Sequence, residues 1–216
     1  MQRSMRNTIS SGMEIIGGNR HVVHTFHIII EYIFYNLIKQ ALEETMDLME
    51  KLDKNEIREF FSKGWMTHDA MWLYHCLQEF GAEKANKVNQ AAVKSMAAIE
   101  IQRVLKLMNK EKGVITSFEE LKEIIDTTFK LILPKFMKFY YSFPEKNLFC
   151  GGFYECFAHD GLKKFGMLDF YQCAIITRVQ GWIDGLGVKY DLSPEFTGCL
   201  MHKNGKCEME FKFDLA

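Results

Sequence analysis

From Met1 to Leu133 the chain contains no proline. Proline ends helices more firmly than any other residue, because it lacks the N–H and its ring clashes with the preceding turn. A proline-free stretch of this length with helical periodicity predicts a helical first part. The three prolines, Pro134, Pro144 and Pro194, all come later. So do five of the six cysteines: Cys150, Cys156, Cys173, Cys199 and Cys207, with Cys76 alone before them. The chain thus divides into two parts with different chemistry.

In the first part the apolar spacing places helix after helix. Val23, Phe26, Ile30, Ile33 and Leu37 recur at three- and four-residue steps, which sets them on one stripe. The pattern continues through Leu48 and Leu52. This apolar helix is suited to packing on the domain or pairing with a second copy, and residues 1–45, which lie outside the family resemblance described below, are expected to be an N-terminal extension. Gly17-Gly18-Asn19 suggests a break before it. A short helix is expected over Lys54–Ser62, then a new one capped by Thr67 with Asp69 in its first turn. Gly81 should end or bend it. Glu83–Asn109 reads as a helix with Ala85, Val88, Ala92, Met96 and Ile99 inward, and Phe118–Tyr140 as another, disturbed at Pro134.

After Pro144 the pattern changes. Leu148–Ala158 is aromatic-rich and contains Gly151-Gly152, the signature of a strand with a bulge. Phe165–Leu186 reads as a helix. Val188–Met201 and Lys206–Asp214 read as strands, joined by the turn His202-Lys203-Asn204-Gly205. Glu208, Glu210 and Lys212 alternate with Met209, Phe211 and Phe213, so one face of the last strand is buried. The expected fold class is α+β: a helical N-terminal part packed on a small antiparallel sheet with a C-terminal hairpin. Residues 46–216 are expected to form one domain, helical over 46–143 and strand-helix-hairpin over 144–216.

Composition narrows the function classes. With 27 basic and 28 acidic side chains the net charge is −1, so the basic surplus of a dedicated nucleic-acid binder is missing. Val22–Ile38 is apolar but short for a membrane span and is interrupted by Glu31, so no membrane insertion is expected. Arg3 and Arg6 resemble the start of a signal peptide, but His24, His27 and Glu31 break its core and no cleavage site comes after it. A soluble, cytoplasmic protein is the expectation. In a reducing compartment, clustered cysteines point to metal or chemistry more than to disulfides.

Cys199 and Cys207 flank the expected turn, and Cys173 lies on the preceding helix. Three thiolates brought together would make most of a zinc cage, which wants four sulfur or nitrogen ligands. Glu195, His202 and Cys156 are the candidates for the fourth. Each cysteine alone would also serve as a small buried apolar residue.

The segment Cys173 to Phe213 resembles the C-terminal part of four-vinyl-reductase-type domains. The likeness lies in the 26-residue step from Cys173 to Cys199, and in Cys199-Leu-Met-His-Lys-Asn-Gly-Lys-Cys207 followed by Glu-Met-Glu-Phe. In sensory members of that family, the resemblance implies, cysteines at this spacing and a glutamate just before the second one bind zinc beside a small-molecule pocket. Here Phe196 occupies the glutamate's place, and Glu195 stands one residue away. The same ending resembles L-2-amino-thiazoline-4-carboxylate hydrolase-like proteins. The middle segment, Gly64-Trp65-Met66-Thr67-His68-Asp69 through Glu100 and Arg103, resembles an uncharacterised prokaryotic family related to them.

Other residues could serve a site. Asp69, Trp72 and Cys76 lie about one turn apart on one helix, and Asp69 equally fits a first-turn dipole role. Glu100 and Arg103 suit a surface pair. Cys150 or Cys156 could act as nucleophile with His159 as base. The resulting expectation is a small-molecule-binding domain with a cysteine-ligated structural zinc. Its apolar or aromatic ligand would touch Asp69, Trp72, Phe153, Tyr154 and Trp182. The alternative is a hydrolase that opens a cyclic non-peptide carbon–nitrogen bond through a cysteine or a zinc-bound water. A homodimer through the N-terminal helix is the expected assembly.

Overall fold

The computed structural model describes residues 20–110 and 115–215. The chain falls into two units, residues 1–53 and 54–216. In the first, α1 spans Arg20–Lys51. Its described side chains include Ile33 and Leu37, both more than half exposed. The Val23, Phe26 and Ile30 positions of the expected stripe, and the expected break at Gly17-Gly18-Asn19, lie outside the described side chains and residues. No described helix is long and apolar enough to cross a membrane.

The second unit begins with α2, Lys54–Phe80, a single helix where two were expected. Thr67 is therefore interior and caps nothing. Gly64 costs about 1 kcal/mol in a helix interior, but both flanks are anchored. Arg58 Nη1 donates to the Lys130 carbonyl at 2.9 Å, and Glu59 accepts from the amides of Lys135 and Phe136. Leu73 is buried on the other side of the glycine. Gly81, at φ +78°, breaks the chain between α2 and α3, Ala82–Leu107.

The buried face of α3 differs from the expected one. Ala85, Ala97, Ile101, Val104 and Leu105 are inside, while Val88 and Ile99 are exposed. The face is chosen by α6, Ala174–Gly185, whose Gly181 and Gly185 lie against Ala97 and Ile101. Buried Asn86 is satisfied on all sides. It donates to the carbonyls of Ala82 and Phe170 and accepts from the Gln172 amide.

Helix α4, Phe118–Ile132, starts at Ser117, whose hydroxyl accepts from the Glu120 amide at 3.3 Å. It ends before Pro134, and the expected continuation to Tyr140 is strand β1, Lys138–Ser142. Phe139 and Tyr141 alternate inward with Tyr140 outward, and both inner rings stand 4.9 Å from Phe129. β1 pairs antiparallel with β2, Leu148–Glu155. β2 pairs with β4, Cys207–Phe213, and β4 with β3, Tyr190–Ser193, giving the antiparallel order β1-β2-β4-β3. The α+β class is borne out, as is the alternation of β4: Cys207, Met209, Phe211 and Phe213 are buried.

The expected bulge is absent at Gly151-Gly152 and lies two residues further along β2: Lys138 pairs with Glu155 and Phe139 with Phe153, so Tyr154 has no partner in β1. The glycines serve close approach instead. A Cβ at Gly152 would stand 2.2 Å from the Cys207 carbonyl oxygen. The chain after β2 forms α5, Phe157–Lys164, which the sequence did not signal, and α6 is shorter than the expected Phe165–Leu186 helix. β3 and β4 are the expected antiparallel pair. Their connection is longer than a turn, because residues 200–204 form the short helix α7, Leu200–Asn204, ended by Gly205 at φ +73°.

Candidate functional site

Helices α2, α4 and α6 cover the inner face of the sheet and leave an apolar cavity of about 70 Å³. Trp65 and Met66 of α2, Phe129 of α4, Trp182 of α6, and Phe153 and Met209 of the sheet bound it. A second apolar cavity of about 130 Å³ adjoins it, bounded by Asp69, Leu73, Val93, Phe157 and Tyr171. Trp65, Met66, Ile175 and Arg178 belong to both walls. Both are small beside the several hundred Å³ of drug-sized ligand sites, and both open to solvent at the mouth.

One polar network stands in this apolar wall. Arg178 Nε donates to Glu100 Oε2 at 2.9 Å, and its Nη2 donates to Oε1. The indole Nε1 of Trp182 donates to the same Oε2 at 2.7 Å. The guanidinium carbon lies 4.9 Å from the Trp65 ring centroid and 5.4 Å from that of Trp182. Such stacking suits the flat, weakly hydrated guanidinium. Glu100 thus pairs with a residue 78 positions away, not with Arg103 as its spacing suggested.

The expected ligand-contact residues divide. Phe153 and Trp182 line the first cavity and Asp69 the second. Since α2 is continuous, Asp69 is no first-turn residue. Partial burial at the cavity raises its pKa, against the pull of His68 and Arg178. Trp72 is exposed and borders a separate groove with Cys76. Tyr154 does not join them: it projects from the outer face of the sheet, 74% exposed, against Tyr140. Tyr154 is the extra residue at the β1–β2 irregularity, where both it and Glu155 are exposed.

The cysteines behave differently from one another. Cys156, Cys173, Cys199 and Cys207 are all buried. The first three sit at the N-caps of α5, α6 and α7, and Cys207 opens β4 opposite Phe153. Their thiols lie within electrostatic range of one another. Burial pushes Cys156 up to about 11 and Cys173 and Cys207 up to about 12, and the neighbouring sulfurs add to it. Amides of Ala158 and His159 face Cys156, and those of Ile175 and Ile176 face Cys173; they pull the other way without closing a cap hydrogen bond.

Glu195 and His202 are not brought into this group. Glu195 is exposed, and His202 Nε2 bonds Asp169 at 2.8 Å. The donor chemistry of four thiols suits zinc. Among the described residues, however, no group of three or more His, Cys, Asp or Glu is gathered closely enough to hold a metal ion. Cys150 stands apart on the sheet, near Glu210 and Glu145. The His159 ring bonds Asp160 at 2.9 Å and forms no pair with a described cysteine.

A family model described as a family of unknown function (DUF6125) matches residues 47–170, more than half of the chain. The chain belongs to the DUF6125 family. No curated protein matches it. The DUF6125 segment carries α2 to α5 with β1 and β2, hence Trp65, Asp69, Glu100, Phe129 and Phe153 of the cavity walls and their polar network. Arg178, Trp182, Cys173, Cys199 and Cys207 lie beyond it, so both the ion pair and the thiol group join the DUF6125 segment to the C-terminal part of the chain.

Proposed function

We propose that this chain is a small-molecule-binding domain whose ligand, apolar or aromatic, sits in the cavity beneath α2, α4 and α6. The observation that carries the reading is an apolar cavity, open at its mouth, with one fixed polar network in its wall. Ligand pockets combine those two things: area for affinity, and a few fixed polar groups for orientation. The likeness of Cys173–Phe213 to four-vinyl-reductase-type domains supports the same reading.

A structural zinc belongs to it. Cys173, Cys199 and Cys207 would hold the ion, with Cys156 in place of Glu195 or His202 as the fourth donor. Bound there, zinc would tie the starts of α5, α6, α7 and β4 together by thiolate bonds. A reducing, cytoplasmic setting keeps such thiols available. The exposed apolar side chains of α1 suit pairing with a second copy; solution mass before and after removal of residues 1–45 tests it.

The hydrolase reading has less support. A thiolate nucleophile needs a lowered pKa, and burial pushes Cys156, Cys173 and Cys207 the other way. Neither cavity is lined by a described cysteine. Four thiolates would also leave zinc no open position for water.

The direct test is a titration of tryptophan fluorescence with naphthalene, alongside native mass spectrometry for co-purified molecules. Saturable binding that Phe153→Trp abolishes by filling the cavity is expected. A folded protein that takes up no apolar probe overturns the proposal.

A further inference from the structure

Among the described residues, Arg178 is the one cation common to the walls of both cavities. A guanidinium carries five N–H donors. Nε and Nη2 serve Glu100, which leaves the Nη1 edge for whatever enters. The two-point hold by Glu100, with the Trp65 and Trp182 rings 4.9 and 5.4 Å from the guanidinium carbon, gives that edge a set direction.

The charge of Arg178 is already answered. It and Glu100 are 18% and 20% exposed, and the carboxylate is held on both oxygens. A carboxylate ligand would bring a new anion beside Glu100, with Asp69 also in range of Arg178. It would give up its hydration for a cation that is already neutralised. An ammonium ligand would meet the guanidinium. A pure hydrocarbon would cover Nη1 and leave its donors unpaired, which costs more than a hydrogen bond gains. A carbonyl oxygen accepts from Nη1 and adds no charge.

We infer that the cavity selects a neutral, flat, mainly apolar molecule bearing a carbonyl-type acceptor, which the Nη1 edge of Arg178 holds in the apolar space beside Trp65 and Trp182. This rests on the small-molecule reading and names its ligand class.

The test compares three probes of one shape by fluorescence titration: naphthalene, 2-naphthamide and 2-naphthoate. The full chain should bind 2-naphthamide about fivefold more tightly than either of the others, the worth of one net hydrogen bond. Arg178→Met should bring 2-naphthamide down to naphthalene. Glu100→Gln keeps an acceptor for Trp182 but frees the positive charge, so 2-naphthoate should become the tightest of the three. A misfolded variant cannot produce that inversion. Equal binding of all three probes, or tightest binding of 2-naphthoate by the unaltered chain, overturns the inference and leaves the binding-domain reading standing. Binding of none overturns both.

Discussion

A Cβ placed on Gly181 of α6 would stand 2.7 Å from the Ala97 Cβ of α3, nearer than non-bonded carbons approach. The two helices meet at this point, one residue from Trp182 and three from Arg178. Gly181→Ala should force them apart and cost about 1–3 kcal/mol, as overpacking does in close-packed interiors. Urea unfolding measures this, and an unchanged midpoint contradicts the contact.

Gly64 makes the opposite case. Nothing lies within 4 Å of its would-be Cβ, and it sits inside α2. Gly64→Ala should stabilise the protein by about 0.5–1 kcal/mol. Thr67→Ala should be close to neutral, whereas removal of a helix cap would cost about 1 kcal/mol. Thermal melts of the two variants separate one helix from two.

The Glu100–Arg178 pair should be costly to halve and cheap to remove. Glu100→Leu leaves a partly buried cation and the Trp182 indole without their acceptor, at about 1–3 kcal/mol. Adding Arg178→Met should recover much of that loss, since an apolar pair of similar volume replaces a buried ion pair well. A double-mutant cycle reads the coupling, and additive losses would argue against it.

The buried thiols predict a pH dependence for metal-free protein. Cys173 and Cys207 are pushed up to about 12 from an ordinary 9. Between those values the unfolded chain sheds protons that the folded chain keeps, so stability falls as pH rises. It is fully present below about pH 9 and is lost progressively toward 12. Melting temperatures in chelator from pH 7 upward should decline beyond that point. Cys173→Ala should flatten the decline.

Purified protein should contain close to one zinc per chain by elemental analysis. Cys199→Ser, Cys207→Ser and Cys156→Ser should each lower it, and Glu195→Gln should not. Fully folded protein free of metal removes zinc from the proposal. A Glu195→Gln variant that loses metal reassigns the fourth donor.

The elements whose signal is local are readable from the residues. The start of α4 at Phe118, the break at Gly81 and the strict alternation of β4 each depend on neighbours a few positions away. The site is legible only in pieces. Phe153, Trp182 and Asp69 are expected as ligand contacts and line the cavities, while the expectation for Tyr154 is one residue out of phase. Trp65 shares a helix stripe with Asp69 and Trp72, but Arg178 carries no local mark, because its role exists only when α2 and α6 face each other. Cys156 is one of three candidates for a place beside the other thiols, and burial separates it from exposed Glu195 and His202.

By itself the sequence determined the helical first part, the late sheet with one buried face, and the absence of a nucleic-acid binder's charge. Propensity and periodicity act over a few residues, so these survive any packing that buries the apolar stripes. Tertiary structure decided the rest: which face of α3 is inside, that Lys138–Ser142 is a strand, and that Glu100 answers Arg178. Each of these turns on close contact between segments far apart in the chain, where the fit of Gly181 against Ala97, or of one guanidinium between two indoles, outweighs local preference.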